Sequence, residues 1–263
     1  MSEAIRLQDQ LGRTTRLDRP AVRIVSLVPS ITEYLFYLGL TDEVVGITKF
    51  CERPNWAFRT KPLIGGTKTP KIDAIAQLKP DLVIANKEEN RKEDIEAISE
   101  FAPVYTSQIS NRAEALEMMQ SLALCVGKET GYLALEREIA KDATHLPKYE
   151  AARGLYLIWR KPWMAAGSDT YIHAMMGEMG IRNVLAEKRY PSLTEQEILD
   201  LNPNLVLLSS EPFPFKAKHI AELKELLPNA EIALVDGQVF SWYGNRVKYV
   251  GRYCSALFNR HPL

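Results

Sequence analysis

Between Lys128 and Leu146 the apolar residues Tyr132, Leu135, Ile139, Ala143 and Leu146 recur in steps of three and four, while Glu129, Glu136, Arg137, Glu138, Lys141 and Asp142 occupy the remaining positions. This spacing predicts an amphipathic helix with one apolar stripe. Pro147, which lacks an amide donor and clashes with the preceding turn, marks its end. At 1.5 Å per residue such a helix is about 27 Å long, enough to span the side of two domains.

On both sides of this helix the pattern changes to short, unbroken apolar runs that alternate with helical segments. Arg23–Val28, Val44–Thr48, Asp81–Ala85, Val104–Tyr105, Gly154–Ile158, Leu205–Ser209 and Ile232–Val235 read as strands buried on both faces. Helices are expected over Ile31–Leu38, Asp73–Leu78, Lys92–Phe101, Ala113–Cys125 and Thr170–Met179, with a short one after Thr194 and a closing one reaching Phe258. Ser30 with Glu33, and Thr194 with Glu197, have capping-box spacing, and Ser168 or Asp169 is the expected cap of the Thr170 helix. Alternating strands and helices argue for a mainly parallel sheet.

The two flanks also resemble each other. Ile75-Ala-Gln-Leu-Lys-Pro-Asp-Leu-Val-Ile-Ala-Asn86 aligns with Ile198-Leu-Asp-Leu-Asn-Pro-Asn-Leu-Val-Leu-Leu-Ser209 at an offset of 123 residues. In each copy a short helix is broken at a proline and a buried strand follows. The expected architecture is α/β, with two Rossmann-like lobes bridged by one long backbone helix: an N-terminal lobe over residues 1–126, opening with a hairpin at 5–17, a linking helix over 127–149, and a C-terminal lobe over 150–263. The alternative is two similar helix-proline-strand units within one sheet.

Composition narrows the functional classes. With 263 residues, 46% of them hydrophobic and 25% charged, the chain can bury two cores of ordinary size. Thirty-three basic residues balance thirty-three acidic ones, which leaves no electrostatic footprint for nucleic acid and favours a small-molecule or protein partner. Cys51, Cys125 and Cys254 form no CxxC pair, and His145, His173, His219 and His261 are far apart, so no metal site is encoded by spacing. Cys51, on a loop expected to be partly exposed, is the one metal candidate. No GxSxG elbow is present, and Gly127-Lys-Glu-Thr130 lacks the upstream glycine of a phosphate-binding loop, so a non-enzymatic protein is expected. The first twenty residues contain no apolar export segment, which reads as cytoplasmic unless a leader has been removed.

In open parallel sheets ligands bind beyond the carboxyl ends of the strands. The loops expected there carry Phe50 and Trp56, Glu88 and Glu89, Trp159, Arg160 and Trp163, Phe213 and Phe215, and Trp242 and Tyr243, including all four tryptophans of the chain. Aromatic faces supply apolar contact at low entropic cost and suit a flat ligand, Arg160 can grip an anionic group or stack on an indole, and the glutamates can receive hydroxyl or cationic groups. The competing reading for any single aromatic is that it plugs the end of a sheet.

Arg23-Ile-Val-Ser-Leu-Val-Pro-Ser-Ile-Thr-Glu33, Leu78-Lys-Pro-Asp-Leu-Val-Ile84, the Asp9-Gln-Leu-Gly-Arg13 hairpin and the long helix together resemble the helical-backbone substrate-binding proteins of ABC importers, the group that includes cobalamin-binding and ferric-siderophore-binding proteins. The resemblance implies two lobes, a corrinoid, haem or ferric-siderophore ligand held in the cleft between them, no intrinsic cofactor, a monomer, and a periplasmic location. It implies acidic residues that dock onto the permease: Asp73 by position in the first lobe and Glu195 or Glu197 near the matching position in the second. Tyr190 and Trp242 fall in segments that match the aromatic lining of cobalamin-binding relatives, whereas Thr67 stands where a tryptophan is expected. Arg160, Arg246 and Tyr243 match the arginines and tyrosines of siderophore binders. The alternative function is a cytoplasmic cofactor-handling protein or enzyme that retains the fold, with Cys51, Glu88 and Arg160 as its polar actors.

Overall fold

The computed structural model describes residues 4–147 and 152–260, and the chain divides into two compact units. The first comprises 1–108, 113–136 and 243–245; the second comprises 109–112, 137–242 and 246–263.

The first unit opens with a hairpin, β1 (Ile5–Gln8) and β2 (Thr14–Leu17). Its main sheet contains β3 (Ile24–Ser26), β4 (Val44–Ile47), β7 (Leu82–Asn86) and β8 (Val104–Ser107), all parallel, in the order β4-β3-β7-β8. Between them lie α1 (Pro29–Tyr37), α2 (Asn55–Thr60), the small ribbon β5 (Gly65–Gly66) and β6 (Thr69–Pro70), α3 (Ile72–Gln77) and α4 (Lys92–Ser99), and α5 (Arg112–Cys125) follows. The core gathers Val25, Leu27, Val83 and Ala85 of the strands against Ile75, Ile95 and Ile98 of the helices. Buried Asp9 accepts hydrogen bonds from the Leu11 and Arg13 amides and from the Thr106 amide of β8, so the hairpin turn is fixed to the outer strand of the sheet. Thr15 adds a bond to the Val104 carbonyl at 2.8 Å, covering backbone that an edge strand would otherwise expose.

Helix α6 (Glu129–Ala143) buries Tyr132 and Leu135 in its first half and Ile139 and Asp142 in its second, and within it the assignment changes from the first unit to the second between Glu136 and Arg137. The helix ends three residues before Leu146, in the turn where the Thr144 and His145 amides bond back to Lys141 and Asp142.

In the second unit β9 (Ala152–Trp159), β13 (Leu205–Ser209) and β14 (Glu231–Val235) run parallel. The other edge of β9 takes β11 (Ile181–Asn183) near its start and β10 (Trp163–Ala165) near its end, and β12 (Ser192–Leu193) extends the sheet from β10. Its helices are α7 (Tyr171–Glu178), α8 (Glu195–Leu201), α9 (Ala217–Leu226), α10 (Gly237–Ser241) and α11 (Val250–Arg260), with a 3-10 turn at Asn245–Tyr249 before the last. Leu155, Leu157, Val206 and Leu208 pack with Ile198, Leu223 and Phe215 in its core.

Some expected elements shift. Helix α1 begins at Pro29, whose fixed φ suits the first helical position, and Ser30 therefore lies inside the helix without capping it. The α7 cap is Thr170, whose hydroxyl accepts from the His173 amide, in place of Ser168 or Asp169. The Thr194–Glu197 capping box forms as spaced. Helices α2, α9 and α10 are additional to the expected elements.

The two matching segments are also closed alike in structure, each by an arginine at the start of the neighbouring strand, Arg23 and Arg153, which are 130 residues apart. Helix α3 stops at Lys79 (φ 46°) and α8 at Asn202 (φ 45°), both left-handed and both followed by proline. Arg23 donates through Nη2 to the Leu78 carbonyl at 2.6 Å, and Arg153 does the same to Leu201 at 2.8 Å. Asp81 accepts from the Arg23 amide at 2.8 Å, as Asn204 does from the Arg153 amide at 2.7 Å. Each arginine satisfies carbonyls that a helix end leaves open, and each Asx side chain satisfies the amide that starts the neighbouring strand. The same hydrogen bonds thus set the level at which β7 and β13 begin, and hence where their carboxyl ends fall.

Candidate functional site

In the first unit the carboxyl end of β7 is Asn86, fully buried. Its Oδ1 accepts from the Glu88 and Glu89 amides at 2.8 and 3.3 Å, and its Nδ2 donates to Ser107 Oγ at 3.0 Å. Asn90 closes the turn, accepting from the Asn86 amide and donating to the Thr67 carbonyl at 2.9 Å. Both glutamates are therefore presented half-buried on a rigid turn, with Lys68 bonded to the Glu88 carbonyl. The Tyr243 hydroxyl lies 3.3 Å from Glu89 Oε1, and burial together with the nearby Glu89 and Glu88 carboxylates pushes its pKa well up.

Beyond β4, Phe50 is exposed with the Lys49 ammonium 5.1 Å from its ring centre. Trp56, on α2, is also exposed and rests edge-on against Phe36 at 4.9 Å. It lines a concavity of about 680 Å³ with Glu33, Arg53 and Arg59, three charged residues that loop composition did not single out. Cys51 is not the partly exposed thiol expected: it is fully buried, 3.2 Å from Thr32 Oγ1 and 3.3 Å from Thr48 Oγ1, and burial raises its pKa. Among the described residues no group of three or more His, Cys, Asp or Glu side chains is placed to hold a metal ion; His261 lies outside them.

In the second unit the aromatics separate into two sets. Trp159, at the end of β9, is 39% exposed and meets half-buried Phe213 edge-on at 5.6 Å. Trp163 and Phe215, only 3% and 6% exposed, stack in parallel at 6.1 Å inside the core, where the sheet-plugging reading holds. Arg160 lies 4.1 Å over the Trp163 ring, and its Nε donates to Glu222 at 3.0 Å. That bond holds the Glu222 carboxyl below its usual range and raises the Arg160 guanidinium, so the fork of Arg160 is engaged within its own unit. Tyr190 is half-buried under Arg189, 5.7 Å from its ring centre.

Ser209 ends β13 as Asn86 ends β7, and its Oγ lies 3.3 Å from the Glu211 amide, just as Asn86 bonds to Glu88 123 residues earlier. Glu211 is the site residue that loop composition missed; the repeat offset would have found it. One of its carboxylate oxygens accepts from Trp242 Nε1 at 2.8 Å and lies 3.2 Å from Ser241 Oγ. Desolvation raises its pKa despite these donors. Arg246 sits 5.4 Å from the centre of the half-buried Trp242 ring.

Of the expected docking residues, Asp73 and Glu195 are exposed in the first turns of α3 and α8. Glu197 is also exposed, but its carboxylate is engaged by Thr194 at the amide and hydroxyl, which lowers its pKa. Among the described residues no helix is long and apolar enough to cross a membrane.

Curated relatives include the vitamin B12-binding protein of Vibrio parahaemolyticus, 23% identical over 202 residues that cover 74% of this chain and 73% of that one. The cobalamin-binding protein of Halobacterium salinarum is 26% identical over 212 residues, covering 76% and 57%. Among solved structures, the periplasmic vitamin B12-binding protein of Vibrio cholerae has a TM-score of 0.80 at 19% identity, covering 93% of this chain and 99% of that one. A periplasmic heme-binding protein from Roseiflexus has a TM-score of 0.77 at 21%, covering 90% and 98%. These structural likenesses establish the shared two-lobed α/β fold, as the sequence resemblance implied. Residues 24–235 match the family described as periplasmic binding protein, and the chain belongs to that family.

Proposed function

We propose that this chain is the substrate-binding component of an ABC importer, working outside the cytoplasmic membrane, and that it captures a metal chelate with a flat or aromatic-compatible face, a corrinoid first, haem or a ferric siderophore next. The observation that carries this reading is the placement of aromatic side chains at strand ends. Phe50 and Trp56 stand exposed at the end of the first unit's sheet, and Trp159, Phe213, Tyr190 and Trp242 remain open or half-open in the second. Aromatic rings on a rigid sheet supply apolar contact without ordering a loop. Glu88, Glu89 and Arg246 add polar selection, and the Thr67 carbonyl fixes the turn that carries the glutamates. The corrinoid is placed first because relatives matched along three quarters of the chain bear vitamin B12 or cobalamin in their names.

Trp163, Phe215 and Arg160 support these residues from beneath, since Arg160 covers Trp163 and Phe215 backs Phe213 at 4.8 Å. Asp73 and Glu195 are the proposed acidic contacts for a permease, each in the first turn of a short helix at nearly matching repeat positions. The enzyme alternative is weakened because its thiol is buried and Arg160 is paired with Glu222.

Titration of the purified chain with cyanocobalamin, cobinamide, haemin and ferric catecholate and hydroxamate chelates tests the reading, with tryptophan fluorescence and visible absorbance followed together. Saturable binding at micromolar Kd or tighter, about 8 kcal/mol or more, is the expected result for one of them. Absence of saturation by all of them would reject the proposal.

A further inference from the structure

Trp242 is held more firmly than its half-buried position requires. Its indole N–H donates to Glu211 at 2.8 Å, Ser241 Oγ lies 3.2 Å from the same carboxylate oxygen, and the Arg246 guanidinium lies over the ring. Glu211 is itself fixed. Its amide is 3.3 Å from Ser209 Oγ at the end of β13, the Gly237 amide donates to Ser210 Oγ at 2.9 Å, and a side chain at Gly237 would overlap both Ser209 Oγ and Glu211 Cγ. A chain of contacts therefore runs from the rigid end of a central strand to the indole.

We propose that Glu211 is a positioning residue for ligand capture, holding the Trp242 indole by its N–H so that the ring is already set when the ligand arrives. This rests on the reading of Trp242 as a ligand contact. The geometry favours a positioning role over a purely stabilising one. The indole N–H, the Ser241 hydroxyl and the Gln238 side chain converge on the Glu211 carboxyl, which is held in place at the end of β13. An oxygen acceptor fixed at that position gives the indole N–H one direction to point and so sets the plane of the ring. Pre-setting the ring removes the rotamer entropy that binding would otherwise have to supply. The equivalent turn of the first unit places Glu88 at the matching position, with Asn86 on its amide and Lys68 on its carbonyl.

The test uses the full chain, with cyanocobalamin as the probe, or haemin if cyanocobalamin does not saturate. The ¹⁵N-indole resonance of Trp242 is assigned by its loss in Trp242→Phe. Glu211→Ala is expected to move that resonance and raise the probe Kd by about tenfold, the equivalent of one hydrogen bond. Glu211→Gln, whose carboxamide oxygen still accepts from the indole, is expected to stay near the parent in both readouts. In the Trp242→Phe background, Glu211→Ala should have no further effect on Kd. The inference is overturned if Glu211→Ala leaves the resonance or the Kd unchanged, or if it weakens binding equally without Trp242. If Glu211→Ala does not fold, Glu211→Met, similar in size but without an oxygen acceptor for the indole, replaces it, and an unmoved resonance in that variant has the same meaning. Failure of the underlying reading looks different: Trp242→Ala then binds the probe like the parent, or the parent binds neither probe.

Discussion

At the scale of single residues, two glutamates of the second unit stand under opposite electrostatic constraints. The Arg160 hydrogen bond depresses the Glu222 pKa, so Glu222 contributes stability above its ordinary titration range and loses it as pH falls through the depressed value. Burial raises the Glu211 pKa, so its favourable contribution is full below the ordinary range and is lost as pH rises through the raised value. Melting temperatures of Glu222→Gln and Glu211→Gln, each measured against the parent from about pH 4 to pH 8, should diverge in sign. The Glu222 variant falls progressively behind the parent as pH rises, by about 1 kcal/mol or less because its side chain is 38% exposed, whereas the Glu211 variant gains on it. Parallel trends would show that one of the two environments is wrongly described. The same pair explains what the sequence could show of the aromatics. Strand-end loops rich in tryptophan and phenylalanine are visible in it, but Trp163 differs from Trp159 because Arg160 and Glu222, 62 positions apart, close over it. No local pattern encodes that pairing.

At the scale of elements, the repeated helix-proline-strand segment is the best-read part of the chain, because the proline and the buried run each act within a few residues. Its terminations differ in one respect that can be measured. Lys79 and Asn202 both occupy the left-handed region, where a side chain with a Cβ is strained and asparagine is tolerated better than lysine. Lys79→Gly is therefore expected to stabilise the chain by about 0.5–1 kcal/mol in urea unfolding, after allowing for the greater freedom of glycine in the unfolded chain, whereas Asn202→Gly changes little. Equal effects at the two positions would mean that lysine is no more strained than asparagine in these left-handed ends. Elements made by distant contacts were less legible. The docking of the hairpin depends on Asp9 meeting the Thr106 amide 97 positions away, which no local pattern shows.

At the scale of the whole molecule, the two-lobed α/β class was readable because the duplicated segments and the long helix each carry a strong period, while the family was legible only as a resemblance carried by Arg23–Glu33, Leu78–Ile84, the Asp9–Arg13 hairpin and the long helix. The path of the chain was not readable, since residues 243–245 belong to the first unit although sequence on both sides belongs to the second. Closure of the second unit depends on a contact between chain positions 109 residues apart. Asp142, 1% exposed near the end of α6, accepts from the Gly251 amide at 2.5 Å and from Arg252 Nε at 2.9 Å, and so anchors the start of α11. A Cβ at Gly251 would overlap the Asp142 main-chain carbonyl oxygen, which no side-chain rotation can relieve. Gly251→Ala should therefore destabilise by about 3 kcal/mol or more through displacement of α11, and Asp142→Ala by about 2–4 kcal/mol through the unsatisfied amide it leaves. Because either change releases the same helix start, the double variant should fall well short of the sum in urea unfolding. Additive losses, or a Gly251→Ala variant as stable as the parent, would show that α11 is held from elsewhere and that Asp142 caps it without anchoring it.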